Sequence, residues 1–233
     1  MDVIKEISII IPCYNESENL ILLISNCKRI LKTENIAIEF VIVNNGSTDN
    51  TKEVLRNLSL SQNFKILNLN ENFGYGNGII EGLKNSSFKY LAWTHADLQT
   101  DISDVITGIK YYNENSIFVK GRRIKRNIIS KILSLGMSIY CFMVLGVWVN
   151  EINAQPKIFS RKFFNKIENN SPKDFSLDLF FCINALKEEK LEEFPVIFGK
   201  RKYGDAKGGG GNFFQKIKLI IRTIKFINNY KIK

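Results

Sequence analysis

Metal-binding and redox chemistry have few side chains to draw on in this chain. Its 233 residues include a single histidine, His95, and four cysteines, Cys13, Cys27, Cys141 and Cys182. The cysteines are widely spaced, without a CxxC pair, which excludes a zinc motif and makes a reduced, cytoplasmic compartment the simplest expectation. Proline is scarce, at four residues, and "GGGG" at 208–211 is the one strong flexible punctuation. No internal repeat and no low-complexity linker is present. The opening "MDVIKEISIIIPCYN" has no basic segment leading into a long apolar one, so no secretory signal is expected.

What is abundant is apolar surface and positive charge. Hydrophobic residues make up 45% and charged ones 24%, too apolar for a disordered chain and enough for one sizeable α/β domain with at most a small appendage. The net charge of +10 calls for an anionic partner: nucleic acid, a phosphorylated substrate or an acidic membrane surface. Much of it lies in "KGRRIKR" (120–126), "GKRKYGDAK" (199–207) and the last 18 residues. No base-stacking motif or nucleic-acid recognition module accompanies it, so nucleic acid is not expected.

"EISIIIPCYN" (6–15) is a continuous apolar run closed by proline and polar residues, the pattern of a strand buried on both faces. The next stretch sets Leu20, Leu23, Ile24, Cys27, Ile30 and Leu31 at helical spacing. "IEFVIVNNGSTDNT" repeats the unit, with Ser47, Thr48 and Asp49 as caps for the following helix. "FKILNLN", "GYGNGIIEGLKNS" and "FKYLAW" continue as strand, turn into helix, and strand. Such alternation predicts a mostly parallel sheet with helices on both faces. Ligands in open sheets of this kind bind beyond the carboxyl ends of the strands. Three polar clusters fall there, Pro12–Glu16, Asn44–Asp49 and His95–Asp101, and together they predict one crevice.

In order and spacing, "IIIPCYNESENL", "VIVNNGSTDNT", "NFGYGNGIIEGL" and "HADLQTD" resemble the nucleotide-binding half of family 2 glycosyltransferases. "GRR", "QPKIFSR" and "RKYGDAKGGGG" extend the resemblance toward the polyprenyl-phosphate (dolichol-phosphate) branch, over roughly residues 5 to 210. The resemblance implies a GT-A fold, a nucleotide-sugar donor, a divalent cation (Mn²⁺ or Mg²⁺) and inversion at the sugar carbon. It implies that Pro12, Tyr14, Asn15, Glu16 and Ala96 border the nucleotide and that Asn44, Asn45 and Gly46 lie by base and ribose. By the same match the metal falls to His95, Asp97 and Gln99. Acceptor phosphate falls to Arg123, with help from Arg122, Lys131 and Ser134, and donor phosphates to Arg201 and Lys207. Asp178 stands at the place of an acidic residue: a general base for a hydroxyl acceptor, or a group that only orients Arg123 or Lys157. Gly74, Gly76 and Gly78 read as a phosphate cradle or as a tight turn with close helix packing.

Three departures stand out. Relatives carry carboxylates where this chain has Asn44, Asn45 and His95. Imidazole suits a transition metal better than Mg²⁺, which favours Mn²⁺ if His95 is a ligand; otherwise it is a hydrogen-bonding neighbour of the site. An amide can donate as well as accept, which admits a cytidine-nucleotide donor. Asp101 reads as a cap for a helix starting near Ile102.

Two segments concern the membrane. "ILSLGMSIYCFMVLGVWV" (132–149) is uncharged for 18 residues, at the lower limit for a span. A helix dipping into the interface and a buried core helix are the two readings of it. In the C-terminal segment Phe213, Ile217, Ile220, Ile221, Ile224 and Ile227 share one helical face and Lys218, Arg222 and Lys225 another, as on a membrane-surface helix, although packing on the domain or a second subunit fits as well. The reading is thus a GT-A domain over 1–207 and a glycine-rich hinge with a basic amphipathic helix over 208–233. It would act as an inverting glycosyltransferase on a polyprenyl phosphate or a lipid-linked or cell-surface glycan, peripheral at the cytoplasmic face of the membrane, with a homo-oligomer left open. The alternative is a catalytically degenerate nucleotide-sugar-binding protein of the same fold.

Overall fold

The computed structural model describes residues 4–113, 116–126, 128–204 and 213–230. Among them, β1 (Glu6–Cys13), α1 (Ser17–Thr33), β2 (Ala37–Asn45), α2 (Thr51–Asn57), β3 (Phe64–Leu69), α3 (Tyr75–Lys84) and β4 (Tyr90–Trp93) form the alternating first half. Then come α4 (Ser103–Ile109), β5 (Phe118–Ile124), α5 (Ile128–Leu145), β6 (Lys157–Ser160), α6 (Arg161–Ile167), α7 (Leu177–Lys187), β7 (Leu191–Ile197) and α8 (Phe213–Asn229). The strands make one seven-stranded sheet in the order β3-β2-β1-β4-β6-β5-β7. Only β6 runs against its neighbours, pairing antiparallel with β4 and β5. The mostly parallel sheet expected from the alternation is therefore present, with one reversed strand inside it.

β1 reads as an unbroken apolar run because both of its faces are covered. Ile7, Ile9 and Ile11 meet Leu20, Leu23, Ile24 and Cys27 of α1 in one core, while Ile10 meets Ile79, Leu83 and Trp93 in the other. Each such side chain, wholly removed from water, contributes about 1.5–3 kcal/mol before chain entropy is subtracted. The register sets Ile10 beside both Val41 and Trp93. β1 and β2 therefore end level, Cys13 beside Asn44, while β4 stops beside Ile10, and the polar residues that follow the three strands lie along the same edge of the sheet.

The apolar helix differs from its expected bounds: α5 starts at Ile128 and stops at Leu145. Gly146 ends it, in the left-handed region at φ 69, with its N–H donated to Phe142 O at 2.9 Å. Glycine adopts this conformation without the cost other residues bear. Only 17% of α5 is buried, which rules out a core helix. The apolar face of α8 is covered only in part. Ile227 is buried, Ile220 turns to the interior cleft, and Ile217 and Ile221 are exposed. Tyr140 of α5 donates to Asn228 Oδ1 of α8 at 2.7 Å, so α8 is packed onto the domain. The hinge at 208–211 and Phe213's side chain lie outside the described residues.

Candidate active site

The strand ends open into a cavity of about 770 Å³, a size in the range of small-molecule sites. Pro12, Tyr14 and Glu16 line its β1 side. Asn15 does not line it. Its backbone is left-handed at φ 54, and its Oδ1 accepts the N–H of Thr48 at 2.8 Å and of Asp49 at 3.3 Å. Asn15 thus ties the loop after β1 to the loop after β2. Asp49 completes this tie, accepting from Ser17 Oγ at 2.8 Å and from Thr51 N at 3.0 Å at the start of α2. Burial pushes the Asp49 carboxyl up, but these donors outweigh it and hold the group below its ordinary value.

Glu16 and Arg201 join the two ends of the chain. Arg201 Nη2 donates to both Glu16 carboxylate oxygens at 2.6 Å, and Nε donates to Tyr203 O at 2.8 Å. Arg201 Nη1 also stands 3.7 Å from Asp97 Oδ2. A guanidinium is therefore fixed between two carboxylates in the cavity wall. Lys207, expected to act with it, lies outside the described residues.

The asparagines after β2 are committed to the protein. Asn44, outside the lining, donates to Asn68 Oδ1 at 2.9 Å and accepts from Ser47 N at 3.2 Å. Asn45 lines the cavity and donates Nδ2 to Asn72 Oδ1 at 3.2 Å and to Gly74 O at 3.0 Å. Asn45 has both amide hydrogens committed and Asn44, with one committed, lies outside the lining, so neither is placed to donate to a base and the argument for a cytidine nucleotide loses its support. Gly46 and Gly78 support this corner from behind. Gly46 sits at φ 66, and a Cβ on Gly78 would come within 2.9 Å of Asn45 Cγ. Close packing is what the glycine motif provides here.

After β4, His95, Ala96, Asp97 and Gln99 all line the cavity, as does Gly74. Asp97 Oδ1 accepts from Gln99 N at 3.1 Å, and Oδ2 lies 3.9 Å from His95 Nδ1. Asp101 faces elsewhere and accepts from Ser103 N and Oγ at 2.8 Å, at the start of α4. Among the described residues, no group of three His, Cys, Asp or Glu side chains gathers for a metal. The oxygen donors of Asp97 and Gln99 still fit a hard divalent cation whose other ligands come from a diphosphate and water.

Arg123 and Ser134 also line the cavity, together with Arg126. Arg123 Nε donates to Glu151 Oε2 at 2.7 Å, and Arg126 Nη1 donates to Glu151 Oε1 at 2.6 Å and to Ser134 Oγ at 2.7 Å. Burial first, and Arg126 second, pull the Arg123 guanidinium below its ordinary value, against the pull of Glu151. Arg122 and Lys131 do not line it. Alternation along β5 turns Arg122 outward, 3.9 Å from Glu193, and Lys131 is exposed on α5.

Asp178 borders the cavity but is buried, as is its ion-pair partner Lys157. Its Oδ1 also accepts from Gln155 Nε2 at 3.0 Å. Of the two readings of Asp178, this geometry matches the orienting one. Burial pulls the Lys157 ammonium down, and Asp178 opposes that pull. Tyr75, Gln155, Glu151 and Lys216 were not picked out by sequence reasoning. Gln155 opens the "QPKIFSR" motif and Tyr75 lies within "NFGYGNGIIEGL", but neither was given a role there; Glu151 belongs to the stretch before β6, where no short motif marks it, and Lys216 reaches the cavity because α8 folds back over it.

Comparison with known proteins agrees with this arrangement. The model of the family described as "Glycosyl transferase family 2" matches residues 8–194. The dolichol-phosphate mannosyltransferase of Pyrococcus furiosus is 30% identical over 240 residues, covering 95% of this chain and 64% of that protein. The poly-beta-1,6-N-acetyl-D-glucosamine synthase of Staphylococcus epidermidis is 35% identical over 98 residues, 42% of this chain and 23% of that one. The chain thus spans under two thirds of these relatives' lengths. Among solved structures, glucosyl-3-phosphoglycerate synthase from Mycobacterium tuberculosis, in complex with Mn²⁺, UDP-glucose and phosphoglyceric acid, superposes with TM-score 0.69 at 12% identity, covering 96% of this chain and 78% of that one. A mannosyltransferase from Pyrobaculum calidifontis, in complex with GDP-Man and Mn²⁺, gives TM-score 0.67 at 17% identity, covering 97% and 65%. These likenesses establish the GT-A fold.

Proposed function

The chain belongs to glycosyl transferase family 2, and on that premise we propose that it transfers a sugar, with inversion, from a nucleotide-sugar donor to the phosphate of a polyprenyl lipid. One observation carries the reading. A single cavity is lined by both the Glu16–Arg201–Asp97 group and the Arg123–Arg126 pair. Donor diphosphate and acceptor phosphate are both anionic: the Arg123–Arg126 pair suits phosphoryl oxygens, while Arg201 is held by Glu16 and the positive charge for the donor would come from a cation on Asp97.

The chemistry forms a bond from an acceptor oxygen to the anomeric carbon as the bond from that carbon to the donor diphosphate breaks. The nucleoside diphosphate leaves with the electron pair. A divalent cation bound by Asp97 and Gln99 would supply Lewis-acid stabilisation of the leaving group. Arg201 adds a fixed positive charge beside the same carboxylate. Arg123 and Arg126 position the acceptor anion, whose arrival relieves the repulsion between them. An ionised phosphate needs no base, and the commitment of Asp178 to Lys157 supports that acceptor over a hydroxyl, including that of a glycan. Lys207 remains a proposed contributor on the donor side.

We place the protein, as part of this proposal, peripherally at the cytoplasmic membrane face, and α5 supports the peripheral part of that reading. The helix is long and apolar enough to cross a membrane by length and composition. Yet it is fastened to the domain along its length, through Arg126 to Ser134, Ser138 Oγ to Val149 O at 2.7 Å, and Tyr140 to Asn228. Ile128, Ile132, Leu135, Ile139 and Phe142 share its exposed face, while Leu133, Ser134 and Met137 line the cavity. A helix lying in the interface would bring the cavity to the lipid phosphate. Replacing Ile132 and Phe142 with aspartate should weaken co-sedimentation with anionic vesicles by about tenfold or more; unchanged binding would remove the membrane from the scheme.

The deciding assay is a panel of nucleotide sugars with Mn²⁺ or Mg²⁺, with and without undecaprenyl phosphate. Transfer should appear with one donor and fall about 100-fold or more in Asp97→Ala. Tight nucleotide-sugar binding with no turnover under any condition would instead identify a degenerate binding protein, the outcome favoured by the neutral Asn44, Asn45 and His95.

A further inference from the structure

Polar bonds anchor the turn between α5 and β6 on both sides. Ser138 Oγ of α5 donates to Val149 O at 2.7 Å, and Trp148 Nε1 donates to Asn150 Oδ1 at 2.8 Å. Lys120 of β5, wholly buried, donates Nζ to Asn150 O at 2.7 Å and pairs with Glu193 at 2.9 Å. The next residue, Glu151, is held in the left-handed region at φ 43, and its C=O accepts from Ala154 N at 2.8 Å. A residue with a Cβ keeps that conformation only where its surroundings over-determine it. What the strained turn delivers is a carboxylate. Glu151 Oε2 accepts from Arg123 Nε at 2.7 Å, and both carboxylate oxygens accept from Arg126 Nη1, at 2.6 and 2.7 Å. Both arginines line the cavity and Glu151 does not, so the carboxylate grips them from behind. Each guanidinium has a further restraint. Arg123 lies over the Phe198 ring, 5.2 Å from its centre, and Arg126 Nη1 donates to Ser134 Oγ at 2.7 Å. Among the described residues, Nη1 and Nη2 of Arg123 and Nε and Nη2 of Arg126 have no hydrogen-bond partner.

We propose that Glu151 is the positioning residue of the acceptor site, holding Arg123 and Arg126 by one nitrogen each so that their remaining N–H groups converge on one phosphomonoester. The inference rests on the polyprenyl-phosphate acceptor proposed above. Two neighbouring guanidiniums repel each other, and without a shared partner they would turn apart. One carboxylate between them offsets one charge, fixes both planes, and leaves a positive charge over for the anion. A carboxylate near an anion site also repels the anion. That repulsion acts from behind the two guanidiniums, farther from the phosphate than either of them, whereas the grip on them is direct. Preorganisation therefore outweighs repulsion. Buried Lys120 acquires a part in the same device, because it holds the carbonyl of the residue before Glu151.

The probe is geranyl phosphate, a soluble prenyl phosphomonoester, titrated calorimetrically into the full-length protein. Glu151→Gln keeps the shape but turns an amide N–H toward a guanidinium, and should weaken binding by about tenfold. Glu151→Asp keeps the charge but withdraws it by one methylene, about 1.5 Å, and should also weaken binding several-fold. With Arg126 already replaced by glutamine, Glu151→Gln should cost about threefold or less, because half of what it positions is gone. Melting curves of each variant confirm that the protein compared is folded, and Glu151→Asp serves alone if Glu151→Gln is not. Equal or tighter binding by Glu151→Gln overturns the inference, since the carboxylate would then act by its charge against the anion. Binding by Glu151→Asp that matches the unmodified protein overturns it too, as does an equal cost of Glu151→Gln with and without Arg126. In these outcomes the unmodified protein still binds the probe and the acceptor reading stands. No binding of geranyl phosphate by the unmodified protein would instead sink the acceptor reading, and the role of Glu151 with it.

Discussion

Lys157→Met is the substitution whose consequence can be worked out most fully. The Lys157 side chain is 0% and the Asp178 side chain 1% exposed, so the pair is screened by almost no water. Lys157 Nζ also donates to Ala154 O at 3.0 Å and lies 5.4 Å from the centre of the Trp93 ring. Methionine fills much of the same volume but removes the ammonium, leaving Asp178 with Gln155 as its neighbouring donor. Breaking one side of a buried pair costs about 3–5 kcal/mol, a large part of a typical domain's 5–15 kcal/mol. In urea unfolding followed by tryptophan fluorescence, with a slope of about 2 kcal/mol/M, the midpoint should fall by about 1.5–2.5 M. Lys157→Met combined with Asp178→Leu removes both charges and should recover most of the loss. Asp178→Asn adds a check of sign. It leaves a buried ammonium, already pulled down by burial, without the carboxylate that opposes the pull. The unfolded chain then binds more protons than the folded one between the two pKa values. Stability therefore rises with pH toward the unfolded value and is lost as pH falls through the folded one. The deficit of Asp178→Asn should accordingly shrink between pH 7 and 9. A single Lys157→Met cost below about 1 kcal/mol, or strict additivity in the double variant, would refute the buried pair.

Gly46→Ala forces a Cβ to 2.4 Å from Glu71 C and 2.5 Å from Asn72 N at a φ of 66. It should cost about 2–4 kcal/mol by chemical denaturation, and calorimetry should find weaker nucleotide binding, because Asn72 anchors Asn45. Asp104 is pushed up to about 6, by burial and then by Asp101. A folded value above the unfolded one means that the charged carboxylate destabilises at neutral pH, and the penalty fades as pH falls from about 6 to about 4. Asp104→Asn should therefore add about 1 kcal/mol at pH 7.5, after allowance for solvent screening, and nothing near pH 4 in melting curves taken across that range.

The first half of the fold was legible in the chain because its signals are local. Ile7 to Ile11 announce a strand covered on both faces, and Leu20 to Ile30 a helix with one covered face; each follows from a periodicity that neighbours in sequence set among themselves. Three polar clusters at successive strand ends were likewise enough to forecast a crevice, since parallel strands bring their carboxyl ends to one edge. Tertiary structure alone decided what each polar group does there. Asn44 and Asn45 look like base readers until Asn68, Asn72 and Gly74 are seen to take their amide donors. Asp178 reads equally as a base or as an orienting group until Lys157, 21 residues away, is seen to close on it. α8 reads as an amphipathic helix that fits a membrane surface, the domain or a second subunit, and only the fold shows it laid back to put Lys216 and Ile220 in the cavity wall. Strands and helices depend on contacts a few residues apart, which a sequence displays. The partner of a buried donor or acceptor depends on which distant segments share a few ångströms, and that is fixed only once the sheet has ordered its strands.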